Sequence, residues 1–240
     1  MFHRERKNKF YQTTDHIPQF ERKKYEMSVY ENAPIGTIIG QIHANDIDSG
    51  QYGVVKYRIT HGNNDIFKID PESGILTVAS NDELDREKNI KFLIVVEASD
   101  NNGKGNYNET EIRINIIDLN DNAPVFLQSN YLALLNDHFN EFLFPVQVTA
   151  IDVDELNSNN SFVNYEILHG NYDKQFDLNK ETGELTIIKT SMKDNPTVLT
   201  VRAYDHGITQ QSSTARIHVY RRTPIQISNQ NNPSVRVLIL

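Results

Sequence analysis

The chain is 240 residues long, 38% apolar and 23% charged, with a formal net charge of −8 and no cysteine. That length allows one large or two ordinary domains with buried cores, and that composition belongs to a soluble protein rather than a membrane-spanning or disordered one. The acidic balance argues against a nucleic-acid partner, the missing cysteines exclude a disulfide scaffold or thiolate chemistry, and no apolar run approaches the roughly 20 residues of a bilayer span.

In chain order, MFHRERKNKF is charged and lacks an apolar core, so no signal peptide is expected there; a solvated tail and the remnant of a preceding linker are expected over 1–17. Short alternating segments follow: KYEMSVY (24–30), GTIIGQIHA (36–44), VVKYRIT (54–60), IFKID (66–70), GILTVA (74–79), FLIVVEAS (92–99) and EIRINIID (111–118). Gly, Pro, Asn or Asp separates them, as between half-buried strands. DLNDNAPVF (118–126) then places two carboxylates and two carboxamides ahead of a proline. Alone, that is a good turn, because Asn and Asp hydrogen-bond to nearby backbone and tolerate left-handed dihedrals. Further strand-like segments, FPVQVTA (144–150) and VLTVRAY (198–204), lie beyond it. The terminal VRVLIL is long enough for a strand and too short for a span.

The second half repeats the first. Pro18, Phe20 and Tyr25 recur as Pro124, Phe126 and Tyr131, and ANDID (44–48) recurs as AIDVD (150–154). HGN recurs at 61 and 169, FKIDPESGILTV (67–78) answers FDLNKETGELTI (176–187), and EASD (97–100) answers RAYD (202–205). Such ordered self-similarity marks a duplicated unit. With about seven strands per copy and no long helical period, the expected fold is all-β: two tandem seven-stranded Greek-key sandwiches of immunoglobulin-like type. Expected boundaries are a repeat over 18–118, a linker over 119–123, a second repeat over 124–222 and a tail over 223–240. Flexible linkers are rich in Gly and Ser, whereas this one is short and made of oxygen donors.

Loops of a sandwich collect at its two ends. The end of copy one near the linker should hold Glu31 and the LDRE turn with Asp85 and Glu87; copy two should meet it with Asp152, Asp154, the ELNSNNS loop and Asp205. Asp118 and Asp121 of the linker join them. So many carboxylates in one crevice repel unless a counter-charge is present. Calcium takes six to eight oxygens in loose geometry, whereas zinc and copper would want His or Cys. Asn108 and Asn159 head the Asn-x-Ser/Thr triplets, which matter if the chain is secreted.

LDRE, DLNDNAPVF, the paired Asp-x-Asp motifs and the A-x-D of each copy resemble the extracellular repeats of cadherins, over roughly residues 15–220. The resemblance implies about three calcium ions at the junction between repeats, stiffening a rod-like ectodomain for cell–cell adhesion. Carried over, Glu31, Asp85, Glu87 and Asp121 would bind the two ions nearer copy one, helped by Asp118 and the Leu119 carbonyl, with Asp154 reaching across. Asn120, Asp152, Asp154 and Asp205 would hold the third, with the carbonyls of Asn122 and Asn160. Asp46, Asp48 and Asp100 would form a weaker half-site, with Asp15 in TTDHIPQF at the position of Asp121. The implied partner is another cadherin ectodomain in cis or trans, outside the plasma membrane, with attachment through a longer parent chain and no small-molecule substrate. Without Trp, an exchanged Trp-bearing strand cannot operate.

Copy two departs from the pattern. TSMKDNP (190–196) replaces LDRE, Asp137 replaces Glu31, and RIHVYRRTPIQI replaces NDNAP, so any junction beyond it should be calcium-poor. Blander readings stand beside these. Asp46 and Asp48 serve equally as turn formers, Arg86 as a brace for nearby backbone, His206 as a solvated loop residue, and Tyr57, Tyr165, Phe67 and Phe176 as core. No Ser-His-Asp grouping or phosphate loop suggests an enzyme. A calcium-independent protein-binding scaffold is the main alternative; a hydrolase using the central carboxylates is a third reading.

Overall fold

The computed structural model describes residues 16–62, 65–136, 138, 140–189 and 196–221. The chain separates into two compact units, divided between Asp121 and Asn122.

Unit one contains β1 (Gln19–Phe20), β2 (Lys24–Tyr30), β3 (Ile38–Gln41), β4 (Ala44–Asn45), β5 (Lys56–His61), β6 (Phe67–Ile69), β7 (Ile75–Val78), β8 (Lys91–Ser99) and β9 (Tyr107–Ile117). They form a four-stranded sheet ordered β2-β9-β8-β5, a three-stranded sheet β3-β7-β6 and a short ribbon β1-β4. β2 runs parallel to β9 over seven paired positions, while β8 is antiparallel to both its neighbours. Side-chain alternation explains why β9 forms where it does. Ile112, Ile114 and Ile116 turn inward and are buried, while Glu111 and Arg113 face out. Phe67, Ile42, Leu76, Leu84 and Ile94 complete this core.

Unit two repeats the plan with β10 (Val125–Phe126), β11 (Asn130–Leu135), β12 (Val146–Gln147), β13 (Ala150–Ile151), β14 (Asn164–His169), β15 (Phe176–Leu178), β16 (Glu184–Ile187), β17 (Thr197–Tyr204) and β18 (Ser212–Arg221). Its sheets are β11-β18-β17-β14, β12-β16-β15 and the ribbon β10-β13. β11 pairs in parallel with β18. The second core gathers Leu135, Val148, Phe176, Leu199, Val201 and Ile217.

The expected seven strands are thus the four-plus-three sheets, and the ribbon is additional. GTIIGQIHA does not run as one strand; it divides into β3 and β4 around Ile42 and His43. The break follows from a close backbone approach. Gly74, at φ +68°, comes so near that a Cβ there would sit 2.4 Å from the Ile42 carbonyl oxygen, which only glycine permits. Gly183, at φ +71°, meets the Val148 carbonyl in the same way, at 2.2 Å.

The ribbon strands β4 and β13 are pinned by buried tyrosines. The Tyr57 hydroxyl accepts the Ala44 N–H at 2.8 Å and the Tyr165 hydroxyl accepts the Ala150 N–H at 2.9 Å. These residues belong to the core as expected, and each fixes the strand that delivers an Asp-x-Asp pair. Burial also raises the Tyr57 phenol above its ordinary value.

Candidate metal centre

In unit one, the linker end is built around Glu31, which follows β2 and is 1% exposed. One carboxylate oxygen accepts the Arg86 N–H at 2.8 Å and the other accepts the Leu119 N–H at 2.6 Å. A single buried carboxylate therefore ties the LDRE turn to the linker. Glu31, Asp85 and Glu87 each offer a carboxylate oxygen within 4.8 Å of the others. Asp85 also receives the Lys88 ammonium at 2.7 Å, and that bond holds its carboxyl below the usual range. Asp118 lies against the Arg86 guanidinium at 3.7 Å, so Arg86 braces a linker carboxylate. Asp121 is exposed, accepts Asn32 Nδ2 at 2.5 Å and donates its N–H to the Leu119 carbonyl at 2.9 Å. Asn120 is half-buried.

The opposite end of unit one brings together Asp46, Asp48 and Asp100, with one oxygen of each within 4.8 Å of the others. Asp46 Oδ1 accepts the Asp48 N–H at 2.8 Å, so the turn-forming reading of this pair holds. The remaining oxygens ask for more. Among the described residues, Asp46 Oδ2 and both oxygens of Asp100 are buried and find no hydrogen-bond partner. Burial, and then the Asp46 and Asp48 charges, raise the Asp100 carboxyl above its ordinary value. Buried anionic oxygens without donors are costly, and a hard divalent cation is the partner that an all-oxygen set fits. Asp15 lies outside the described residues, as do Asp137 and residues 190–195 of the degenerate turn.

In unit two, Asp152 Oδ1 accepts the Asp154 N–H at 3.1 Å, repeating the Asp46–Asp48 turn. Asp154 is 4% exposed and takes Asn122 Nδ2 at 2.8 Å. Asp205, completely buried, accepts the Gly207 and Gln211 N–H groups at 3.0 and 2.9 Å. Asn160 sits in the loop beside them, its N–H on Ser158 Oγ at 3.0 Å.

Sequence reasoning assigned only the carbonyl of Asn122 a part and overlooked its side chain. It also missed His16, whose Nδ1 lies 2.8 Å from Asp48 Oδ1 just as Asn122 lies on Asp154. The repeat spacing that relates Asp48 to Asp154 also relates His16 to Asn122, so the signal was there. Lys88 beside Asp85 was missed for lack of any marking pattern. His206 departs from the solvated reading: it is half-buried, bonds Asn164 Oδ1 at 2.8 Å and lies against Phe162 and Tyr204.

Comparison with known proteins follows the same division. The family model of the cadherin domain matches residues 25–117 and 142–220. Cadherin-86C of Drosophila melanogaster is 37% identical over 228 residues, 86% of this chain and 12% of that protein. Human Cadherin-related family member 2 is 35% identical over 173 residues, 71% of this chain and 13% of that protein. The chain thus spans a small fraction of these curated relatives. Among solved structures, mouse cadherin-23 EC22–24 superposes with a TM-score of 0.77 at 26% identity, covering 87% of this chain and 65% of that one. The human desmocollin-1 ectodomain gives 0.74 at 26% identity, covering 88% of this chain and 43% of that one. With both repeats matched by the family model and the repeat fold shared with solved ectodomains, the chain belongs to the cadherin family.

Proposed function

We propose that this chain is part of an extracellular adhesion protein in which calcium joins consecutive repeats into a stiff rod. The observation that carries the reading is Glu31. It is buried, its two oxygens accept N–H groups from the LDRE turn and from the linker, and Asp85 and Glu87 lie within reach. In this reading Glu31, Asp85, Glu87, Asp118, Asp121 and the Leu119 carbonyl serve the ions nearer repeat one. Asn120, Asp152, Asp154 and Asp205, with the Asn122 and Asn160 carbonyls, serve the third. Calcium supplies the positive charge that lets acidic loops approach. The residues do the rest: Glu31 fixes the turn, and Asp152 and Asp205 hold their loops through backbone N–H groups.

Asp46, Asp48 and Asp100 form the corresponding half-site at the other end of repeat one, and the buried oxygens of Asp46 and Asp100 that find no hydrogen bond among the described residues support a cation there. Among the described residues no helix is long and apolar enough to cross a membrane. The proposed setting is the outer face of the plasma membrane, with a cadherin ectodomain as partner in cis or trans. Extracellular calcium sites have dissociation constants of about 10⁻⁴–10⁻³ M, so external calcium would fill them.

Small-angle scattering tests the proposal. A stiff, extended particle is expected in calcium, and a broader, shorter ensemble in chelator. Identical profiles in the two, together with no heat on calorimetric titration, would favour a calcium-independent scaffold.

A further inference from the structure

The sequence holds two glycan-acceptor triplets, Asn108-Glu109-Thr110 and Asn159-Asn160-Ser161. N-linked sugars attach through the side-chain amide nitrogen and need a surface position. The fold treats the two triplets oppositely. We propose that Asn159 carries an N-linked glycan in the secreted protein and that Asn108 does not; the inference rests on the extracellular reading above.

Asn108 lies on β9 opposite Ala98, on the same side of the strand as Thr110, Ile112 and Ile114. Those three are 4%, 0% and 0% exposed, so the Asn108 side chain starts from the inner face of the sandwich. Its Nδ2 donates to the Pro18 carbonyl at 3.0 Å and its Oδ1 accepts the Glu109 N–H at 2.9 Å. Thr110 Oγ1 donates to the Lys23 carbonyl at 3.2 Å, which ties β9 to the residue before β2. A sugar on Asn108 would have to displace the Pro18 backbone that leads into β1. A chain so modified could not close its sandwich around β1 and β2.

Asn159 lies instead in the loop between β13 and β14, with its side chain exposed. Only its backbone carbonyl is used among the described residues, accepting the His206 N–H at 2.9 Å. That bond fixes the loop and leaves the amide group to solvent. Ser161 Oγ, the hydroxyl of this triplet, donates to the Glu155 carbonyl at 2.7 Å and closes the loop on itself.

The chemistry is a transfer from a polyprenyl-diphosphate-linked oligosaccharide, the donor of the secretory pathway. Asn159 Nδ2 forms a bond to C1 of the first N-acetylglucosamine. The C1–O bond to the diphosphate breaks, the diphosphate leaves with the electron pair, and one amide proton passes to a base. No redox change occurs.

The test is secretion of the full chain from cultured animal cells behind an added signal peptide, followed by enzymatic release of N-glycans in heavy-oxygen water and peptide mapping. The expected result is heavy-oxygen aspartate at position 159 and unmodified Asn108. Asn159→Gln and Ser161→Ala should each abolish the glycosidase-sensitive shift in mobility, and Asn108→Gln should leave it unchanged. A glycan on Asn108 in secreted protein, or bare Asn159, overturns the proposal. Calcium titration of Asn159→Gln separates this from the adhesion reading. Calcium heat should persist without the glycan, whereas failure of the calcium reading would abolish heat in every variant and leave the glycan map intact.

Discussion

At the scale of single residues, Glu31 is the position most exposed to test. Its replacement by alanine leaves the Arg86 and Leu119 N–H groups without their buried acceptor, which should destabilise repeat one by about 2–3 kcal/mol in denaturant titration. Calcium affinity should fall by about 10–100-fold in the same variant, because the turn it orients carries Asp85 and Glu87. A separate pH effect belongs to Glu97, which is 6% exposed and bonded by Arg58 through both carboxylate oxygens at 2.8 Å. Arg58 holds the Glu97 carboxyl below its ordinary 4.5. A depressed carboxyl adds stability above that ordinary value and loses it as pH falls through the lowered one. Arg58→Ala should therefore raise the Glu97 titration point by carbon-detected NMR and shift the acid limb of the stability curve upward; an unmoved titration point would refute the coupling. The acidic residues were legible because LDRE, DLNDN and Asp-x-Asp are spaced motifs. Their partners were not. Lys88, Asn32 and His16 are ordinary residues whose role comes from where the turn places them.

At the scale of elements, most strands could be read directly, since β9 alternates polar and apolar residues over 111–116 and β18 over 214–219. The ribbons could not. β1 and β4 are each two residues long, too short for a period of two to register, and they arise because the chain changes sheets at Ile42 and His43. What forces that crossing is the approach of Gly74 to the Ile42 carbonyl, and of Gly183 to that of Val148. Gly183→Ala should cost roughly 1–2 kcal/mol for the left-handed dihedral alone, and more as Val148 is pushed aside. The effect should appear in the unfolding of repeat two, with repeat one unchanged. Equal loss in both repeats would contradict two separate cores.

At the scale of the whole molecule, the proposed calcium sites would link stability to calcium. A ligand at one hundred times its dissociation constant adds about 2.7 kcal/mol to the folded state. For domains of this size, each kcal/mol shifts the midpoint by about 4–8 °C, so chelation should lower the melting temperature by ten degrees or more. An unchanged midpoint in chelator would remove the linkage. The strand order inside each repeat carries one more consequence. The chain enters the main sheet on β2 and leaves on β9, which lies beside it and runs the same way; β11 and β18 do likewise. A load applied between these entry and exit strands would pull them past one another in shear. Seven paired positions in one repeat and six in the other would resist together, not open one after another like a zip. Each sandwich is thus wired to bear tension along its strands.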